Sequence, residues 1–378
     1  MDLAAIPLLD HHCHALRRPL AALDETAFRR HFSESADPAM AAHIPFHLFY
    51  ARGLADLAAL LGCEPTEAGV LAARRSLPPE PYARQLIAAA HIAAMLVDTG
   101  LREAENYTLE EQRAFLPCAL YEVLRLETLI EQLLVETNSF TELEEAYRAR
   151  LADARARGIV AFKSIAAYRG GLPFLPRSRA EAADAYPALR ARARQEGRVR
   201  LTDRTLLEYL GRIGLEVAAA QELPVQFHTG FGDDDLDLRL ANPLHLRPLL
   251  QEEALRGASF VLLHTYPYCR EAGYLASLYS NVFVDLSLTI PFTAHGGTPA
   301  LRAALELAPT SKVMLATDAF SFPELFYLGS LYIRQSLESA LRTLQADGWL
   351  EAKQAERAAR QMLYENAASL YGVSIAGE

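Results

Sequence analysis

The chain has 378 residues, of which 51% are hydrophobic and 22% charged, and its 37 basic against 47 acidic side chains leave a formal net charge of −10. That much apolar material excludes disorder as the dominant state, and an acidic balance without a long Lys/Arg run argues against nucleic acid as a partner. Length allows two or three domains of about 150 residues, or one α/β barrel of roughly 200 to 250 residues with additions.

The longest apolar stretch, Leu86 to Val97, is interrupted by His91 and falls short of the roughly 18 residues of a membrane span, so no membrane partner is expected. Met1 to Asp10 carries an acid at position 2 and no base, unlike a secretory signal, and the expected address is cytoplasmic. Cys13, Cys63, Cys118 and Cys269 lie far apart with no CxxC pair, which suits buried apolar groups rather than a disulfide framework or a zinc knuckle.

In chain order, eight short apolar runs end in polar residues: Ala5 to Asp10, His91 to Asp98, Ala119 to Glu127, Ile159 to Lys163, Pro224 to His228, Phe260 to His264, Val282 to Asp285 and Lys312 to Thr317. Between them lie stretches of helical period: Ser139 to Arg157, Ser178 to Glu196 with a break expected near Pro187, Thr202 to Gln221, Pro243 to Leu255 and Glu271 to Ser280. Pro323 to Ala346 and Glu351 to Tyr371 follow as helices. The alternation predicts an α/β fold with a parallel sheet, and the count of eight favours a (β/α)8 TIM-like barrel over an open doubly wound sheet. The 76 residues between His14 and His91 exceed one crossover helix, and Ala51 to Gly62 and Pro65 to Ser76 read as helical. They predict a helical insertion, residues 15–90, near the barrel mouth, with 1–378 forming one domain.

The first run continues as Leu9-Asp10-His11-His12-Cys13-His14. In an extended strand His12 and His14 project together while His11 and Cys13 face away, so two imidazoles can reach one metal. A lone His-x-His pair is a weak signal, but His228 ends the fifth run, His264 ends the sixth and Asp318 follows the eighth. Strand ends of a parallel barrel converge on the face that carries active sites, so metal-type ligands gather there. The competing reading is that Asp318 caps the following helix.

Lys163 ends an apolar strand, where burial would lower its pKa and let a neutral amine capture CO₂ as a carbamate that bridges two cations. The competing reading is an ion pair with Glu127, which with Arg125 is expected on one face of the third strand; Glu127 could also offer an oxygen ligand.

Asp-x-His-x-His on the first strand, Lys163, His228, His264 and Asp318 together resemble the metal set of the amidohydrolase superfamily. Phe162-Lys163-Ser164-Ile165-Ala166-Ala167-Tyr168-Arg169-Gly170-Gly171-Leu172, Val225-Gln226-Phe227-His228-Thr229-Gly230 and Asp98-Thr99-Gly100 resemble its amidohydrolase-2 branch, in particular the barrel half of proteins fused to a glutamine-synthetase-like domain. The chain ends after its barrel, so on this likeness the second domain is expected to be absent. The resemblance implies a (β/α)8 barrel with a divalent metal, usually zinc, held by His12, His14, His228 and Asp318. His264 and Lys163 would join if a second metal is present.

A metal with an open position brings the pKa of bound water towards about 7, and Asp318 is placed to act as general base and acid. His264 could bind a second metal or polarise the scissile carbonyl. Arg169 and Arg125 could pair with a substrate carboxylate, and Tyr168 could line the pocket. The expected activity is hydrolysis of an amide C–N bond or a lactone in a small carboxylate-bearing molecule. The alternative on the same site is a metal-dependent decarboxylase or sugar-acid isomerase, and a third is a non-catalytic scaffold. Apolar helical surface could support a homo-oligomer.

Overall fold

The computed structural model describes residues 2–18, 23–101 and 106–374. Its eight strands are β1 (Leu8–His14), β2 (Ile92–Asp98), β3 (Ala119–Arg125), β4 (Ile159–Ser164), β5 (Val225–Thr229), β6 (Phe260–His264), β7 (Val282–Asp285) and β8 (Val313–Met314). They form one sheet in sequence order, and every neighbouring pair is parallel. This is the expected TIM-like barrel.

Both faces of the strands are apolar because both are covered. Leu8, Cys13, Phe162, Phe227, Leu262 and Val284 pack outwards with the helices, whereas Leu9, Leu96, Val123, Val261, Leu263 and Met314 fill the barrel. Each such side chain contributes about 1.5–3 kcal/mol on burial. Tyr371 and Val373 join the inner cluster, so the C-terminal helix stoppers the barrel at the end of the chain.

Seven joints between neighbouring strands are ladders; the last is made differently. Only Val313–Met314 of the predicted eighth run pairs with β7, and the chain then turns to β1. There Asp318 N donates to His12 O (2.9 Å), His14 N donates to Ala319 O (2.8 Å), and Leu16 bridges Ser321. Across this seam the buried Asp10 carboxyl accepts from Thr317 N (2.8 Å) and Oγ1 (2.6 Å), and burial pushes its pKa up to about 7.

Several boundaries differ from the sequence expectation. The first strand starts at Leu8 and runs through the histidines, and β3 stops at Arg125, with Glu127 already in the helix Leu126–Glu136. The helix Arg179–Glu196 is unbroken despite Pro187, which lies on its exposed side. Pro243 to Leu255 is three short turns, Pro243–Leu246, Arg247–Leu250 and Glu253–Leu255. Between β1 and β2 the described residues form α-helices at Glu25–Arg30, Leu48–Leu61, Glu67–Arg75 and Pro79–Ala89. Among the described residues no helix is long and apolar enough to cross a membrane.

Candidate metal centre

His12, His14, Lys163, His228, His264 and Asp318 all line one cavity of about 370 Å³ at the C-terminal strand ends. The pairing of β1 with β2 slips between Asp10 and Cys13, an irregularity that re-aims side chains. Cys13 faces the outer layer as expected, but His11 does not face away: it reaches Tyr371 and Asp285 inside the barrel. His264 and Asp318 have φ of 67° and 52°, a left-handed backbone that costs a non-glycine residue of order 1–3 kcal/mol and that gathers at functional sites.

Asp318 is the hub. Its Oδ1 lies 3.0 Å from His12 Nε2 and 3.4 Å from His14 Nε2, and its Oδ2 lies 3.7 Å from His264 Nδ1. Burial would raise its pKa, yet the surrounding imidazoles, His264 first, hold the carboxyl well below the usual carboxylate range. Burial, aided by Lys163, lowers His12 to about 3; burial lowers His264 to about 4 and takes His228 well below the ordinary imidazole value. These rings are neutral at pH 7 and offer lone pairs.

The hydrogen bonds assign which nitrogen carries the proton. Gln226 Nε2 donates to His11 O and to Tyr371 Oη, so Gln226 Oε1 is the acceptor facing His12 Nδ1 at 2.9 Å. His12 is therefore protonated at Nδ1 and bare at Nε2. His14 Nδ1 donates to Asp98 O (3.2 Å), which likewise bares its Nε2. Ser287 Oγ donates to Asp285 Oδ2 and accepts from His264 Nδ1 (3.0 Å). Tyr371 Oη, accepting from Gln226, donates to His11 Nδ1 (3.2 Å), and His11 Nε2 donates to Asp285 Oδ1 (3.2 Å). One buried chain thus runs from His12 through Gln226, Tyr371, His11, Asp285 and Ser287 to His264, fixing both rings.

The consequence is that two bare nitrogens face a carboxylate oxygen that is buried and has no hydrogen-bond partner. Lone pairs opposed in this way repel unless positive charge lies among them; Lys163 Nζ, 3.3 Å from His12 Nε2, supplies some, and neutral imidazole with carboxylate is also a donor set that suits a divalent cation such as zinc. Among the described residues two trios bring ligand atoms within 4.8 Å of one another: His12, His264 and Asp318, and His12, His14 and Asp98. In the second, Asp98 is already engaged, since Oδ2 accepts from Arg125 Nε (3.0 Å) and Nη2 (2.6 Å) and Oδ1 from Gly100 N (2.8 Å). The first trio, with the orphaned Asp318 oxygen, fits an ion better. His228, assigned to the ion by resemblance, belongs to neither trio: its Nε2 meets Phe231 O at 3.2 Å and its ring packs 4.4 Å from those of His264 and Tyr168.

Lys163 Nζ is buried 3.3 Å from His12 Nε2, and burial lowers its pKa to about 8. The ion pair with Glu127 is not formed. The Glu127 carboxylate accepts from Ser164 Oγ (2.7 Å) and Ile165 N (3.0 Å), pinning the exit of β4, and Glu127 is not among the residues that line the cavity. Arg125 lines the cavity but is held by Asp98, and Asp98, which sequence reasoning did not assign, supplies that anchor. Its signal was available, for it ends the second apolar run as Lys163 ends the fourth. Arg169 and Tyr168 both line the cavity, and Arg169 Nη2 donates to Glu131 (3.2 Å). Gly232 makes room for Tyr168, since a Cβ there would come within 1.9 Å of the tyrosine oxygen. Glu34, from the segment between β1 and β2, also lines the cavity and was not foreseen.

Comparison with known proteins places these features in a lineage. The amidohydrolase family model matches residues 135–373. The chain is 30% identical to protein fluG of Emericella nidulans over 97% of its own length, and it spans 45% of that curated relative. A solved structure of a presumptive metal-dependent hydrolase from Lactobacillus casei ATCC 334 is 31% identical, with a TM-score of 0.89 over 98% of this chain and 96% of that one. Uronate isomerase from Thermotoga maritima shares the fold at 14% identity, with a TM-score of 0.67 over 97% of this chain and 95% of that one. A match over well more than half of the chain, on a barrel whose strand ends carry the histidines and aspartate described above, makes this chain a member of the amidohydrolase family.

Proposed function

We propose that the chain is a zinc-dependent hydrolase that cleaves an amide C–N bond or a lactone in a small carboxylate-bearing substrate. The observation that carries the reading is the buried Asp318 Oδ1 facing two bare imidazole nitrogens at 3.0 and 3.4 Å with no hydrogen bond of its own. His12, His14, His264 and Asp318 are the residues that would hold the ion. When bound, such an ion supplies Lewis acidity to a carbonyl oxygen and acidifies water towards a pKa of about 7.

The protein's own groups do the rest. Asp318, ionised at neutral pH, takes the proton of the attacking water and returns it to the departing nitrogen or alkoxide, so that C–O forms as C–N or C–O breaks. His264, with its Nδ1 proton committed to Ser287, has no N–H for a carbonyl and serves as a ligand rather than an electrophile. Arg169 is the cation with spare capacity for a substrate carboxylate. Lys163, buried and lowered to about 8, is the amine that would take up CO₂ and so furnish a carboxylate for a second ion. We read residues 15–90 as a helical insertion that supplies part of the cavity wall through Glu34.

The test is a panel of N-acyl amino acids and lactones incubated in H₂¹⁸O with the metal-analysed protein. Hydrolysis places ¹⁸O in the new carboxylate. Release of CO₂, or isomerisation of a sugar acid without cleavage, would replace this reading with the lyase or isomerase alternative, and protein that binds no ion tightly would leave a scaffold.

A further inference from the structure

Besides Asp318 Oδ1, two buried atoms of opposite charge among the described residues in the wall of this cavity lack hydrogen-bond partners: Glu34 Oε1 and Arg169 Nε. Glu34 lies between the helix Glu25–Arg30 and the turn Pro38–Ala42, and Arg169 ends the turn Ala166–Arg169 after β4. Arg169 is held by Glu131 through Nη2, which fixes the guanidinium and leaves Nε–H unspent. The other arginines of the cavity are satisfied, Arg125 by Asp98 (2.6 Å) and Arg200 by Asp235 (2.8 Å).

Glu34 has the opposite surroundings. Burial first, and then the charges of Asp318 and Asp233, push its carboxyl up to about 8. A carboxylate set among acids is relieved by a cation far more than by a neutral hydroxyl. Buried polar atoms left without partners are rare in folded proteins, and two of opposite charge in one cavity mark where a ligand's groups belong.

We propose that the substrate is amphoteric, with a protonated amine donating to Glu34 Oε1 and a carboxylate accepting from Arg169 Nε. This narrows the class to derivatives of amino acids that keep a free amine and a free carboxylate. It deepens the hydrolase reading and rests on that reading's choice of cavity.

Calorimetry on the metal-loaded full chain tests it with β-alanine, γ-aminobutyrate, δ-aminovalerate and ε-aminocaproate, each beside the carboxylate and the alkylamine of the same length. At least one amino acid should bind about tenfold or more tighter than both of its partners. E34Q should bring that amino acid down to the level of the plain carboxylate while leaving carboxylate binding unchanged. R169Q, or R169K if the first does not fold, should bring it down to the level of the amine. Equal affinity for the three probe classes, an advantage that survives E34Q, or no binding of any probe overturns the proposal. No turnover is read, so this preference can fail while ¹⁸O incorporation stands, and the reverse.

Discussion

Asp318 is ionised, buried and short of a hydrogen bond, and those three properties argue for a proton acceptor and an ion ligand in one side chain. Replacing it by asparagine keeps an oxygen for the ion and removes the base. D318N should therefore retain part of any bound ion by elemental analysis while turnover falls by about 10²–10⁴-fold, the usual worth of a general base. Turnover near that of the wild type would take the base role away. Glu34 allows a test of stability. An acid whose folded pKa is raised from 4.5 to about 8 holds its proton more tightly when folded, so the folded state loses stability as pH climbs from about 4.5 through 8 and is level beyond. Melting curves of the wild type and E34Q should coincide near pH 4 and diverge towards pH 8, with E34Q the more stable; parallel curves across that range would place Glu34 in contact with water. At this scale the sequence displayed His12, His14, His228, His264 and Asp318 because each ends or closely follows an apolar run. Glu34 stood in an irregular segment with no periodicity to betray its place in the cavity wall, and His11 was misjudged because a slipped register cannot be read from a string of residue types.

Elements explain why the histidines point as they do. The C-terminal helix Asn366–Tyr371 delivers a tyrosine hydroxyl to the barrel interior, where it receives a proton from Gln226 on β5 and gives one to His11 on β1. Tyr371→Phe would leave two buried polar groups without their bond, costing about 1–3 kcal/mol of stability. It should also weaken zinc binding about 10–100-fold, as loss of an outer partner of a ligand histidine does, because Gln226 would no longer be held against His12. A zinc titration separates the two effects: lower stability with unchanged zinc affinity would make Tyr371 a packing residue alone. The run Glu351 to Tyr371 was legible as a helix, since Ala355, Ala358, Ala359, Met362 and Leu363 give it a buried stripe. Its π turn at Gln361–Glu365, which precedes the segment bearing Tyr371, was not. Strands were likewise visible as apolar runs. The ends of β2, β6 and β7 were visible too, at Asp98, His264 and Asp285, but the end of β1 was not, because His12 and His14, polar residues that look like an exit, are buried within the strand itself.

In the whole barrel the joint between β8 and β1 is the weakest, a seam of scattered hydrogen bonds where the other joints are ladders. The candidate ligands straddle it: His12 and His14 lie on one side, Asp318 on the other, and His264 comes from β6. A bound ion would therefore clamp the barrel shut where backbone pairing is thinnest. An ion that binds only the folded chain stabilises it by about 2.7 kcal/mol at a hundredfold excess over its dissociation constant, so chelation should lower the melting temperature by several degrees. The loss should be uneven. Amide exchange should quicken along Asp10 to His14 and Met314 to Ser321, the two lips of the seam, while β3 and β4, which carry none of the four residues proposed to hold the ion, keep their protection. His12→Ala, with a ligand gone, should bind less zinc and respond little to the chelator in both measurements. If exchange instead rose evenly around the barrel on chelation, or if His12→Ala kept full zinc occupancy, the ion would not be sitting across the seam, and the assignment of His12 with Asp318 as its ligands would fall.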